Sequence, residues 1–182
     1  STPGRYTLTS NLTVSTPSAA AILIMGNDIT IDLNGFVVSH SGGSGGSTAD
    51  GIDSVFPNGN AIEIRNGAIR GFGGNCVQTG NDSVVRDLRL SDCGSSGALV
   101  GRHSLVANVV AADNGQHGIL TQLSSVVRES VVTGNTQDGI QGSGTLEGNL
   151  SESNGRYGIQ VTGTSTVRGN TIKFNGTSGL RG

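Results

Sequence analysis

The sequence predicts an all-β chain that winds into a parallel β-solenoid, with about seven turns and three short strands in each turn. Three observations predict this fold class. The composition favours strands and turns, because Val, Ile and Thr are frequent and there are 31 glycines but only 3 prolines among 182 residues. No segment carries a helical apolar stripe uninterrupted by glycine. One sequence motif also recurs with a regular period, which falls in the range typical of solenoids.

The repeat is clearest in the second half of the chain. Its five copies are "DCGSSGALV" (92–100), "DNGQHGILT" (113–121), "GNTQDGIQG" (134–142), "SNGRYGIQV" (153–161) and "FNGTSGLRG" (174–182). The glycine before the apolar residue recurs at Gly97, Gly118, Gly139, Gly158 and Gly179, at equal intervals except for a shorter third one. Residues at other repeat positions recur at the same intervals, including the shorter third one. Such agreement does not arise by chance.

Positions that are apolar in almost every copy are predicted to face the core, stacked about 4.8 Å apart between successive turns. Three such series are Val77, Ala98, Ile119, Ile140, Ile159 and Leu180; Val85, Val106, Val127, Leu146 and Val167; and Leu90, Ala111, Val132, Ser151 and Ile172.

One polar series is predicted to be a structural ladder: Asn114, Asn135, Asn154 and Asn175. Asparagine tolerates tight bends, and amides stacked in register can donate to one another from turn to turn. Such a ladder satisfies polar groups that a buried bend would otherwise leave unpaired.

A single domain over 1–182 is expected, with regular coils over 60–182 and an N-terminal strand or cap region over 1–25. The alternating segment "NDITIDLNGFVV" at 27–38 predicts one strand of an early coil, and "DGID" at 50–53 is interpreted as an earlier copy of the repeat. The Gly/Ser-rich segment at 40–50 is expected to be a flexible loop. A net charge of −2 argues against nucleic acid as the main partner, and no apolar run is long enough for a membrane span.

The segments "GTSTVRGNTIKFNGTSGLRG", "SSVVRESVVTGNTQDGIQ" and "PGRYTLTSNLTV…NDITIDLNGF" resemble right-handed parallel β-helix proteins of the pectate-lyase-like group. The resemblance covers nearly the whole chain and implies a secreted or cell-surface protein. Because that fold carries lyases, hydrolases, esterases, epimerases, tailspikes and adhesins, it implies no specific activity.

Lyases similar to pectate lyase hold calcium with acidic residues on neighbouring coils. Asp87 and Glu129 occupy equivalent repeat positions with Asn108 between them, and this oxygen-rich row is a candidate calcium site. The alternative is a solvated acidic surface. The Gly-His-Gly and paired-aspartate motifs of polygalacturonase-like hydrolases are missing, so no catalytic residue is predicted.

A basic row is the best candidate binding feature. Arg65, Arg86, Arg128 and Arg168 share one repeat position, with Ala107 and Glu147 filling the gaps. The row could bind a polyanion such as a uronate or sulfated glycan. The alternative is that these arginines cover apolar surface and pair with Glu147 and adjacent acids.

Two further residue types leave alternatives open. Cys76 and Cys93 form either one disulfide or two buried thiols, since two cysteines are too few for a disulfide framework. His117 lies in a repeat position held elsewhere by Ser96, Asp138, Tyr157 and Ser178, so it is interpreted as an outward turn residue rather than a catalyst.

The sequence-based expectation is therefore a non-catalytic extracellular module with a structural, self-assembly or glycan-adhesion role. Its partners would be polysaccharide, or itself, stacked end to end through the coil that ends at "SGLRG". The alternative is a polysaccharide lyase or related enzyme that acts on an acidic glycan with calcium.

Overall fold

A computed structural model describes residues 2–54 and 59–182. Every strand pairing in it is parallel, and the strands of successive turns lie directly above one another. The predicted all-β parallel solenoid is confirmed, with about eight turns rather than seven.

The described strands are named here in chain order. They are β1 (Gly4–Thr7), β2 (Leu12–Val14), β3 (Ile22–Ile24), β4 (Ile29–Asp32), β5 (Val37–His40), β6 (Ile52–Ser54), β7 (Ile62–Arg70), β8 (Val77–Thr79), β9 (Val84–Ser91), β10 (Ala98–Val100), β11 (Leu105–Ala112), β12 (Ile119–Thr121), β13 (Ser125–Arg128), β14 (Val131–Thr133), β15 (Ile140–Gly142), β16 (Gly144–Glu147), β17 (Leu150–Glu152), β18 (Tyr157–Val161), β19 (Thr166–Arg168), β20 (Thr171–Lys173) and β21 (Ser178–Arg181).

The strands make three faces. The first face follows β1, β4, the first half of β7, β9 and β11, and then β13, β16 and β19. The second face follows β2, β5, the second halves of the same long strands, and then β14, β17 and β20. The third face is a separate eight-stranded sheet from β3 to β21. The strand predicted over 27–38 is wrong as one element, because a turn through Asn34 and Gly35 divides it into β4 and β5.

The predicted inward series form the core. Val85, Val106, Val127 and Leu146 pair in register and are fully buried. The Ile119 series is equally buried as far as Ile159, whereas Leu180 is half exposed because β21 pairs only with β18. The segment "DGID" does align with the repeat, since Ile52 of β6 pairs with Val77 of β8.

Left-handed backbone defines the corner between the first and second faces. The residue there has a φ of 51° to 65° in six successive turns, at Asn66, Asp87, Asn108, Glu129, Gly148 and Gly169. Only glycine, asparagine and aspartate adopt this conformation readily, and Glu129 is the one longer side chain. The conformation explains why glycine can replace acidic residues at this repeat position.

The asparagine ladder is present in the interior. Asn114 Nδ2 donates to Asn135 Oδ1, and Asn135 Nδ2 donates to Asn154 Oδ1, both at 2.9 Å. Asn154 continues the ladder to Asn175 at 3.0 Å. Each amide oxygen also accepts the backbone N–H of the preceding ladder residue, so the stacked amides satisfy both side chain and backbone.

A second polar row stacks beside the third face and was not predicted from the sequence. The backbone N–H of Ser83 donates to Ser104 Oγ, and that of Ser104 donates to Ser125 Oγ, at 3.1 and 3.2 Å. All three serines are buried. Serine is common throughout this chain, so the row gives little signal in the sequence.

The Gly/Ser-rich segment at 40–50 includes a short 3₁₀ turn, Ser44–Gly46, and packs against its neighbours. Thr48 N–H donates to the carbonyl of Pro17 at 2.7 Å, and Gly74 N–H donates to that of Ala49 at 2.9 Å. Ser47 and Ala49 are buried. These contacts anchor the second half of the segment, and its flexibility stays a prediction.

Candidate functional site

The first two arginines of the predicted basic row are bound by carboxylates. Arg65 Nε and Nη2 both lie 3.1 Å from Asp32 Oδ2. Arg86 Nη2 lies 2.7 Å from Glu63 Oε1, and its Nη1 lies 2.6 Å from Asp87 Oδ2. Charge-assisted pairs of this kind cancel most of the field that would attract an anion.

The other two arginines are paired as well. Arg128 Nη1 lies 3.0 Å from Glu129 Oε2, and Arg168 Nε lies 2.7 Å from Glu147 Oε2. Ala107 stands between the arginines on the same row and is 5% exposed. The geometry thus shows the pairing with acids that one of the two interpretations expects, and the covering of apolar surface stays a prediction. Polyanion binding by the row stays a prediction.

The candidate calcium row occupies the left-handed corner between the first and second faces. Asp87 Oδ1 accepts the Asn108 amide N–H at 2.8 Å, so Asn108 presents nitrogen rather than oxygen to its neighbour. Arg86 and Arg128 bind the carboxylates of Asp87 and Glu129. Within residues 2–54 and 59–182, no three His, Cys, Asp or Glu side chains are grouped to hold a metal ion. Calcium takes six to eight oxygen ligands, and here one oxygen of each carboxylate faces a guanidinium. Calcium binding by the row stays a prediction.

Arginines without an acidic partner lie on the second face. Arg70 and Arg89 are exposed, and no carboxylate of the described chain lies within 4.0 Å of either. Arg89 pairs in register with Ala68, and Arg70 pairs with Ser91, so the two arginines are diagonal neighbours on adjacent turns. We call these two residues the Arg70 patch.

A pocket of about 230 Å³ adjoins the Arg70 patch. Arg70, Ser39, His40 and Asp92 contribute side chains to its lining. His40 Nδ1 accepts the Gly42 N–H at 3.1 Å, so the neutral imidazole carries its proton on Nε2. That Nε2 is buried and has no partner in the described part of the chain. The pocket therefore combines one guanidinium that no described carboxylate binds with the Ser39 hydroxyl and the Asp92 carboxylate, while His40 Nε2 is enclosed.

The interpretation of His117 as an outward turn residue is wrong. His117 is 8% exposed, Ser96 is 2% exposed and Asp138 is fully buried. The chain reaches this position immediately before the core strand of the third face, and the bend directs these side chains against the neighbouring turns. Only Tyr157 and Ser178, in the last two turns, are less buried.

His117 and Asp138 face each other from adjacent turns. His117 Nδ1 lies 3.4 Å from Asp138 Oδ2, and both atoms are buried without a hydrogen bond in the part of the chain described. Asp138 Oδ1 accepts the Tyr157 backbone N–H at 3.1 Å. Burial lowers the pKa of His117 below its usual value; Asp138 acts against this shift, and Arg156 adds to it.

Two arginines and a tyrosine lie beside this pair. We call Arg156, Tyr157 and Arg181 the Tyr157 cluster. The guanidinium carbons of Arg156 and Arg181 lie 5.4 and 5.1 Å from the Tyr157 ring centroid. Arg181 Nη1 also donates to the Tyr157 hydroxyl at 2.7 Å. Arg156 Nε lies 3.9 Å from Asp138 Oδ1, which connects the cluster to the buried pair.

Cys76 and Cys93 form a disulfide, which resolves the two alternatives left by the sequence. Cys93 occupies the ladder position ahead of Asn114, and Cys76 occupies the repeat position of Gly97. A Cβ added at Gly97 would lie 3.0 Å from Asn114 Nδ2, so this pair of positions is in contact in each turn. The equal 17-residue separation of the two pairs is a signal that could have predicted the bond.

Comparison with protein families agrees with this geometry. A family model described as "Right handed beta helix region" matches residues 2–145, and the chain belongs to this family. The solenoid is therefore a right-handed parallel β-helix, as the sequence resemblance implied. No curated protein matches the chain. Across the described residues, no helix has the length and apolar character needed to cross a membrane.

Proposed function

We propose that this β-helix is an extracellular module that binds an acidic glycan through the Arg70 patch and its adjoining pocket. One observation carries the proposal: Arg70 and Arg89 are exposed on adjacent turns, beside a pocket, without a carboxylate partner in the described chain.

The chemistry of the Arg70 patch suits carboxylate or sulfate groups. A guanidinium presents a planar fork of donors that matches both anions, and no described carboxylate lies within 4.0 Å of Arg70 or Arg89. Ser39 adds a hydroxyl at the pocket wall, which Asp92 also lines. A flat face with donors on successive turns also suits an extended chain that carries repeated charges. We therefore assign the ligand as a uronate-rich or sulfated polysaccharide.

The extracellular location rests on the disulfide. Disulfides such as Cys76–Cys93 form and persist in oxidising compartments, and they are rare in the cytosol. A β-helix outside the cell would meet acidic polysaccharides as matrix or surface polymers. Finding the two thiols reduced in protein recovered from its native source would contradict this location.

Calorimetric titration with polygalacturonate, heparin and neutral dextran tests the binding. We expect binding to the two acidic polymers, weaker at high salt, and none to dextran. Arg70→Gln/Arg89→Gln should weaken binding at least tenfold, about 1.4 kcal/mol. Two controls carry equal or similar changes of charge: Arg86→Gln/Arg168→Gln in the carboxylate-bound row, and Arg102→Gln at an exposed turn. Both controls should bind like the parent protein.

Two results would overturn the proposal. A loss confined to Arg86→Gln/Arg168→Gln would assign binding to the predicted basic row, and an equal loss in every variant would indicate non-specific charge attraction. The same samples test the rival functions. Unsaturated-uronate absorbance that needs calcium would establish a lyase. Concentration-dependent growth of the sedimentation coefficient without glycan would favour self-assembly.

A further inference from the structure

The Tyr157 cluster is separate from the Arg70 patch and lies against the buried pair of His117 and Asp138. We infer that the cluster is a second anion-binding surface, and that protonation of His117 strengthens its hold on a carboxylated or sulfated sugar. The ligand class rests on the proposed function, but the surface and its pH dependence do not depend on the Arg70 patch.

The charges of the cluster are only partly cancelled. Arg156 and Arg181 are exposed, and Asp138 is the only carboxylate that the described residues place within 4.0 Å of either. Asp138 reaches Arg156 at 3.9 Å, a distance too long for a hydrogen bond. Among the described residues, Arg156 therefore has only this distant carboxylate and Arg181 has none, so both guanidinium groups remain free to bind an anion.

The same carboxylate also faces His117. Asp138 Oδ2 and His117 Nδ1 are 3.4 Å apart, and neither has another partner in residues 2–54 and 59–182. A protonated His117 would donate from Nδ1 to Oδ2 and supply a full positive charge. The buried His117 would then neutralise the charge of Asp138, and Arg156 would be available to bind an external anion.

The surroundings of His117 contain few other charges. The preceding turn contributes neutral Ser96, the next turn contributes Asp138, and Arg156 acts from the turn after that. His117 is thus the group that can change the charge of this corner between neutral and mildly acidic pH.

Tyr157 makes the surface suitable for a sugar. Tyr157 is partly exposed and carries a polar hydroxyl on its ring, and sugars stack on such rings. A sugar ring at Tyr157 would place its acidic substituent within reach of Arg156 or Arg181, whose guanidinium groups lie close to the ring. Carboxylate and sulfate share this chemistry, so both are tested below.

The test uses the Arg70→Gln/Arg89→Gln protein, in which the Arg70 patch no longer carries its two guanidinium groups. Oligogalacturonate and a sulfated oligosaccharide are titrated at pH 8 and pH 5, where both stay ionised because a sugar carboxyl has a pKa of about 3.5. We expect affinity to rise at least threefold from pH 8 to pH 5. The sulfated ligand binding alone would identify sulfate as the preferred group, and oligogalacturonate binding alone would identify carboxylate.

Variants separate the pH effect from the binding itself. His117→Gln should keep the weaker, pH 8 affinity at both pH values, whereas Arg156→Gln/Arg181→Gln should lose binding. His103→Gln, at an exposed histidine 3.5 Å from Asp82, is the matched control and should keep the full pH response. Unchanged binding in the double arginine variant, or a pH response that survives His117→Gln, would overturn the inference.

A measurement on intact His117 covers the case in which His117→Gln fails to fold. Because binding and protonation are linked, saturating ligand must raise the pKa of His117 if protonation strengthens binding. Titration of the His117 ring protons by NMR, with and without oligosaccharide, measures this shift. An unchanged pKa at saturation would overturn the inference. Failure of the Arg70 patch alone leaves these results unaffected, so the two proposals fail separately.

Discussion

Two buried polar rows run side by side along the corner between the second and third faces of the β-helix, three residues apart in each turn. The ladder row reads Asn114, Asn135 and Asn154, and every amide oxygen in it accepts hydrogen bonds from the neighbouring ladder residue. The other row reads Ser96, His117 and Asp138, in which Ser96 lies beside Cys93, one turn before Asn114. His117 Nδ1 and Asp138 Oδ2 are buried and have no partner in the described chain.

The difference shows what repetition does in a solenoid. An amide is both donor and acceptor, so identical amides stacked in register satisfy one another. An imidazole stacked on a carboxylate cannot form such a continuous ladder. The hydrogen bonding between these two groups depends on whether the imidazole nitrogen carries a proton. A buried row that repeats one residue type thus indicates a structural role. A buried row of different titratable residues indicates a position whose charge changes with pH.

The largest expected effect is on the ladder. Asn135→Ala would remove the acceptor of the Asn114 N–H and amide, together with donors to the Ala111 and Thr133 carbonyls. Unpaired buried groups cost about 1–3 kcal/mol each, and partial relaxation leaves a loss of about 3–5 kcal/mol in the free energy of unfolding. Urea denaturation measures it.

Asn175→Ala is the control within the same row. Asn175 is only half-buried, and its amide donates to the Ser151 carbonyl where Asn135 donates to three acceptors, so about half of that loss is expected. Equal effects at Asn135 and Asn175 would contradict the view that the ladder stabilises through mutual burial.

The next largest loss of stability is expected when the Cys76–Cys93 disulfide is removed. This disulfide takes the place of the Gly–Asn pair found in the later turns. Cys76→Ser/Cys93→Ser opens a loop with a sequence separation of 17, which corresponds to about 3 kcal/mol in the chain-entropy model. Thermal unfolding measures the difference. Cys76→Gly/Cys93→Asn restores the Gly–Asn pair found in the later turns, and it should lose less than the serine variant. A greater loss would show that the ladder cannot extend into this turn.

A smaller effect concerns the other row and follows from the lowered pKa of His117. The unfolded chain binds this proton more tightly than the folded protein, so stability is full above the usual pKa of about 6.5 and declines as pH falls below it. His117→Gln should remove part of that decline between pH 7 and 5, as measured by urea denaturation. An identical pH profile in the variant would show that His117 does not titrate differently on folding.

The smallest effect is expected outside both rows. Arg86→Gln breaks exposed ion pairs to Glu63 and Asp87, and such pairs contribute about 0.2–1 kcal/mol. Chemical denaturation at low and high salt should show a loss that shrinks with salt. A loss above that of the cysteine variant would mean that the row of paired arginines is a structural element in its own right.

Much of the interior could be predicted because a solenoid repeats its environment. Val85, Val106 and Val127 share one repeat position and one buried environment, so period and polarity suffice to predict their stacking. The ladder was equally visible, since asparagine recurs at the same intervals as the apolar series. The break in the strand at Asn34 was missed, because alternation continues on both sides of that turn.

The period places Arg168 beside Glu147, one repeat earlier, but it does not identify the partner of Arg65. Asp32 binds Arg65 at a sequence separation of 33, because the segment at 40–50 and the residues after it lengthen that turn. Counting back from Arg65 by the regular period therefore does not reach Asp32. The same irregular turns place the pocket beside Arg70, so the free arginines of the second face were not distinguished from the paired ones.

The sequence by itself determined the all-β class, the parallel stacking, the core series and the asparagine ladder, because each depends only on a residue repeating in register with its own copies. The tertiary structure decided between the two alternatives for Cys76 and Cys93, gave Arg65 its partner Asp32, and enclosed His117 and Asp138. Those outcomes depend on contacts between unlike residues and on the path of the chain at its corners, which no single period specifies.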